Sequence, residues 1–90
     1  MGLVKTLTVN NDLGLHARAA ARIVDLVGKY RSQVFLKKGD HEVDGSSILS
    51  ILTLSCPKGT DIEIRTEGEE AEAVLTALSR LFEEKFGEDK

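Results

Sequence analysis

The stretch Gly14-Leu15-His16-Ala17-Arg18-Ala19 sets a histidine at the threshold of a helical run, with an arginine two positions on. A helix beginning near Ala17 leaves its first backbone N–H groups without intrahelical partners, and with the positive end of the dipole these donors form an anion site. His16 stands at about the cap, so a group bonded to its ring would lie over the amides of Ala17 and Arg18. Arg18 adds a planar, permanently charged fork suited to phosphate oxygens. Imidazole, with an unperturbed pKa of about 6.5, is largely neutral near pH 7 and keeps one nitrogen lone pair as a nucleophile. A phosphoramidate retains transfer potential, so the pattern favours a reversible phosphoryl carrier over a hydrolase. A lone histidine at a helix start is also a common cap or surface residue, and Arg18 and Arg22 fit a solvated face. Local chemistry alone leaves both readings open.

The elements around this site follow from pattern. Leu3 to Val9 has strand content, and Asn10, Asn11, Asp12 and Gly14 break it. Ala20, Ile23, Val24 and Val27 recur at helical spacing between Ala17 and about Lys29, with Gly28 placed to end the run. Gln33 to Lys38 and His41 to Asp44 read as two strands joined at Lys38-Gly39-Asp40. Ser46 or Ser47 suits a helix cap, and Ile48 to Leu54 reads as a two-turn helix. Asp61 to Arg65 alternates polar and apolar, as a strand with one wet face does. Ala71, Val74, Leu75, Leu78, Leu81, Phe82 and Phe86 mark one face of a long last helix, with Glu69, Glu70 and Glu72 at its start and Gly87 ending it. The order β-α-β-β-α-β-α predicts an α+β fold: a two-layer open-faced sandwich in which a four-stranded antiparallel sheet is covered on one face by three helices.

Ninety residues, with no linker or repeat, are expected to form one domain over 1–90. A chain 41% hydrophobic and 30% charged with one proline falls among ordinary globular domains, and no apolar run approaches the roughly 20 residues of a membrane span. No signal peptide is read at the start. One cysteine, Cys56, can make no internal disulfide, and a cytoplasmic, reducing location is the simple expectation. Residues 1–60 carry eight Lys/Arg against five Asp/Glu, whereas residues 61–90 carry four against ten. With no basic stripe and only four aromatics, nucleic acid is not an expected partner.

Taken with the element order, Gly14-Leu15-His16-Ala17-Arg18, the Ser47-Ile48-Leu49 opening of the second helix and the Lys58-Gly59 turn resemble the HPr family over nearly the whole chain. These are the histidine-containing phosphocarrier proteins of the bacterial phosphoenolpyruvate-dependent sugar phosphotransferase system. The resemblance implies that His16 is phosphorylated on Nδ1 by phospho-enzyme I and passes the group to a sugar-specific IIA domain. It further implies that Arg18 steadies the phosphoryl group, and that Ser47 is the serine modified in some bacterial groups by an HPr kinase/phosphorylase. No cofactor, metal or membrane insertion is expected, and a monomer is. Two positions depart from the family pattern. Ala19 stands where proline is common, which should loosen the helix start slightly and add a donor. Gly45 replaces a larger apolar residue, which should leave the approach to the second helix more mobile.

Ile48, Leu49 and Leu52 cannot all face the core along with Ile51 and Leu54, so part of this helix should form an exposed apolar patch. Leu15, Ile48, Leu49 and Leu52 are the candidate partner-binding residues. His41 reads as a surface strand residue, Cys56 as packing, and Glu83, Glu84 and the acidic residues after them as a solvated face and tail. Two rival readings remain: a regulatory, nitrogen-type or sugar-free phosphorelay carrier, and an anion-binding or interaction module in which His16 never turns over.

Overall fold

A computed structural model describes residues 2–90. The chain runs β1 (Leu3–Thr8), α1 (Ala17–Val27), β2 (Gln33–Lys38), β3 (His41–Asp44), α2 (Ile48–Leu52), β4 (Asp61–Glu67) and α3 (Ala71–Glu83), followed by a 3₁₀ turn at Lys85–Gly87. The four strands form one sheet in the order β1-β4-β2-β3, every pair antiparallel. The expected element order and open-faced sandwich are observed.

Strand alternation supplies the sheet's inner face. Ile62, Ile64 and Thr66 of β4 are buried while the alternating Asp61 and Glu63 are exposed and Arg65 is half-buried, and Val34 and Leu36 repeat the pattern on β2. Above this face α1 buries Ala19, Ala20, Ile23 and Val27, and α3 buries Ala71, Val74, Leu78 and Phe82. Each fully buried Ile, Leu or Phe contributes roughly 1.5–3 kcal/mol. Together these residues lock α1, and hence His16 at its start, to the sheet. The five-residue α2 packs against α1 and β3. No helix among the described residues is long and apolar enough to cross a membrane.

Three local expectations change. Phe86 does not continue the face of α3: the helix stops at Glu83, and Lys85, Phe86 and Gly87 take φ of 56°, 57° and 80°. The left-handed run turns the chain back, and Phe86 drops into the core edge-on to Phe82 with ring centroids 4.8 Å apart. Gly45 is not a loose joint. Its N–H donates to Val34 O at 2.7 Å, and a Cβ there would lie 3.0 Å from both Val34 and Leu36 side chains. The glycine is what lets the chain pass this close to β2. Finally, β1 ends at Thr8, but Val9 continues the ladder through bonds with Thr60 and Gly59.

Candidate functional site

His16 is the N-cap of α1, with extended backbone (φ −79°, ψ 179°) and a ring that accepts from the N–H of Arg18 through Nδ1 at 3.3 Å. The loop before it is held by close backbone approach. Gly14 has φ +70°, Leu15 N–H donates to Cys56 O at 2.9 Å, and His16 N–H donates to Gly14 O at 2.9 Å. Cys56 is therefore part of the site's scaffold as well as a packing residue; burial pushes its thiol pKa up against the opposing pull of Lys38.

The other ring nitrogen has a partner outside the helix. Nε2 lies 2.5 Å from Glu88 Oε2, and the second oxygen of that carboxylate accepts from Asn11 Nδ2 at 2.8 Å. Asn11 is fully buried, and its nitrogen also donates to Gly14 O at 2.8 Å. Both of its partners are acceptors, which fixes the amide's orientation. Burial of Glu88 acts to raise its pKa, but hydrogen bonds from Asn11 and His16, with the charges of His16 and Arg18, outweigh it and hold the carboxyl below its ordinary value. An ionised carboxylate only accepts, so Nε2 carries the proton. In the neutral ring Nδ1 is then the bare nitrogen, as its bond from an N–H donor also requires. Thus the hydrogen-bond pattern leaves Nδ1 as the ring nitrogen with the free lone pair. The Arg18 amide bond to it is near the long limit for a hydrogen bond.

Arg18 is exposed, and with Arg22 one helical turn on it lines a cleft of about 600 Å³ that Leu13 and Glu88 also border. Ala17 is exposed at the first position of the helix, beside the cap. Ala19 is fully buried at the third position, on the core face.

Ser47 is the N-cap of α2, accepting from Ser50 N–H at 3.2 Å, while Ser46 donates its hydroxyl to Asp44 at 2.7 Å. Those bonds from the Ser46 hydroxyl and amide hold Asp44 below the ordinary carboxylate range. The second helix ends at Leu52, short of the expected Leu54, and the five apolar residues of this stretch divide: Ile51 and, beyond the helix, Leu54 are buried, Leu52 is half-buried, and Ile48 and Leu49 are 37% and 78% exposed. Leu15 does not belong to the exposed patch. It is buried in the core cluster, because the backbone bond to Cys56 turns that residue inward. Leu13, 68% exposed, presents the apolar surface on this loop.

Sequence reasoning missed Asn11 and Glu88. By composition Asn11 belongs to a turn and Glu88 to a solvated tail; nothing in local pattern signals that a left-handed turn brings residue 88 back to residue 16. His41 sits exposed at the start of β3 with its ring against the Thr53 hydroxyl.

A protein-family profile described as "PTS HPr component phosphorylation site" matches residues 3–84. "Phosphocarrier protein HPr" of Xylella fastidiosa is 43% identical over 83 residues, covering 92% of this chain and 93% of the relative. The protein of the same name from Pseudomonas aeruginosa is 42% identical, covering 91% and 92%. Among solved structures, HPr-C-His from Thermoanaerobacter tengcongensis superposes with a TM-score of 0.93 at 35% identity, covering 98% of this chain and 99% of the other. A phosphocarrier protein HPr from Bacillus anthracis gives 0.86 at 33%, covering 90% and 96%. These likenesses favour a phosphocarrier over an interaction module, and with the histidine cap, the bare Nδ1 and the arginine beside it they establish that the chain belongs to the HPr family of phosphotransferase-system phosphocarriers.

Proposed function

We propose that Nδ1 of His16 accepts a phosphoryl group from phospho-enzyme I and passes it to a IIA domain, the chain acting as one cytoplasmic, monomeric domain over 1–90. The observation that carries this reading is the opposed pair of bonds on the ring, Arg18 N–H on Nδ1 and Glu88 on Nε2, which leaves the attacking lone pair over a helix N-terminus. The Arg18 guanidinium and the amides of Ala17 and Arg18 then receive the phosphoryl oxygens. Charge-assisted bonds of this kind are among the stronger ones available to a protein. Ile48, Leu49 and Leu52 form the surface on which partners rest. Ser47, at the start of the same helix, is the regulatory site for an HPr kinase/phosphorylase, since phosphate there adds negative charge beside that surface.

Incubation with phosphoenolpyruvate and a compatible enzyme I tests the reading. An acid-labile adduct, present in the wild type and lost in His16→Ala, is the expected result. A wild-type protein that stays unmodified, or an adduct that survives the substitution, would overturn it.

A further inference from the structure

Glu88 lies 72 residues from His16 in sequence and is nevertheless built into place beside it. Buried Phe86 pins the segment to the core, the left-handed run at Lys85, Phe86 and Gly87 reverses its direction, and Asp12 N–H holds its far side through Lys90 O at 3.1 Å. Asn11, itself fully buried, then fixes the carboxylate by one oxygen, leaving the other for His16 Nε2. A side chain needed only for packing would not require a buried amide to aim it.

We propose that Glu88, oriented by Asn11, is a positioning residue for phosphotransfer: it keeps the proton on Nε2 of His16, preserves Nδ1 as the nucleophile, and balances the positive charge the ring acquires when phosphorylated. The inference rests on the carrier reading above. In the step itself the Nδ1 lone pair forms the N–P bond while the P–N bond of the donor's phosphohistidine breaks, its electron pair returning to the donor's ring. Nε2 keeps its proton throughout, so the His16 ring becomes cationic opposite a carboxylate oxygen 2.5 Å away. Passing the group onward reverses the change. Without the carboxylate the neutral ring divides its proton between two nitrogens, and the form protonated on Nδ1 cannot attack. The Arg18 N–H, at 3.3 Å from Nδ1, is too long a bond to enforce the choice alone. Histidine–carboxylate pairs that set a tautomer in this way are a general device of nucleophilic catalysis.

The test compares wild type, Glu88→Gln, Glu88→Ala and Asn11→Ala by ¹⁵N shifts of the His16 ring and by single-turnover phosphorylation with phospho-enzyme I. In the wild type the neutral ring should be almost wholly protonated on Nε2. In Glu88→Ala the two tautomers should mix, and phosphorylation should slow by about tenfold to a hundredfold, the range expected for a charge-assisted hydrogen bond. Glu88→Gln keeps the size and loses the charge; it should be slowed too while retaining more of the tautomer preference. Asn11→Ala should go part of the way, and its effect should nearly vanish in a Glu88→Ala background. Folded Glu88→Ala and Glu88→Gln proteins with wild-type ring shifts and rates within twofold of wild type would overturn the proposal. If wild-type protein takes no phosphoryl group at all, the carrier reading fails on its own, while the ring shifts still decide whether Glu88 sets the tautomer.

Discussion

Gly14→Ala should cost more stability than any other single-methyl addition near the site, and the structure says why. The residue has φ +70°, and a Cβ would lie 2.4 Å from Cys56 O and 2.9 Å from Pro57 Cα. Left-handed backbone alone costs an alanine about 1 kcal/mol. Overpacking against backbone that cannot swing aside adds about 1–3 kcal/mol. Retreat of Cys56 would break its bond to Leu15 N–H, worth about 1 kcal/mol. The combined loss of about 3–5 kcal/mol corresponds to a fall of roughly 15–30 °C in Tm for a domain of this size. Thermal and urea unfolding measure it directly. Gly14→Asn separates the causes, because asparagine tolerates the left-handed region better than alanine but is larger. If the clash dominates, as the 2.4 Å approach requires, Asn is no better than Ala. An Asn variant clearly more stable than the Ala variant, or an Ala variant within 1 kcal/mol of wild type by denaturation, would refute the packing argument. Gly14 O also receives both His16 N–H and Asn11 Nδ2, so whatever Gly14→Ala protein folds should accept phosphate slowly even well below its Tm.

Three further outcomes follow from the same geometry. Glu88 has a folded pKa below its unfolded value, so its contribution to stability is complete above about pH 4.5 and is lost as pH falls through the depressed folded value; Tm measured against pH should drop in that acid window, and less steeply in Glu88→Gln. Leu49→Asp should leave Tm nearly unchanged while weakening association with enzyme I in titration calorimetry, whereas Ile51→Ala, from the buried side of the same helix, should cost about 2–5 kcal/mol in urea unfolding. Ser47→Ala should lose about 1 kcal/mol with the cap, while Ser47→Asp keeps an acceptor for Ser50 N–H and should slow phosphorylation of His16; equal rates for wild type and Ser47→Asp would count against charge at this position as the regulatory signal.

What the sequence discloses here is what local periodicity and local chemistry determine. Ile62, Ile64 and Thr66 alternate with polar neighbours, so β4 has one inner face whatever it packs against. Ile23 and Val27 lie one turn apart, so α1 can be read with its buried side already assigned. His16 and Arg18 are near neighbours, and their relation to the first amides of a helix follows from helix geometry alone. The division of α2 into exposed Ile48 and Leu49 and buried Ile51 is partly legible for the same reason: one short helix cannot hide all its apolar residues.

Leu15 and Glu88 show where that logic ends. Leu15 adjoins the histidine, and its place in the motif points to the surface, but its direction is set by a hydrogen bond to Cys56, 41 residues away. Glu88 carries the opposite lesson. A glutamate in an acidic run is solvated by default, and only three consecutive left-handed residues, two of them not glycine, return it to His16. Such backbone is uncommon for Lys85 and Phe86 and must be offset by what it gains. Burial of the Phe86 ring is the compensation the structure provides, since a fully buried phenylalanine contributes about 1.5–3 kcal/mol against roughly 1–2 kcal/mol for each strained residue. The two sums are close. The turn is therefore held jointly by the aromatic ring and by the bonds that Glu88 and Lys90 make to the His16 loop. Phe86 in the core and Glu88 against the His16 ring stand only two positions apart, so core packing and the placement of that carboxylate are linked through the same short turn, which appears only once the chain has folded.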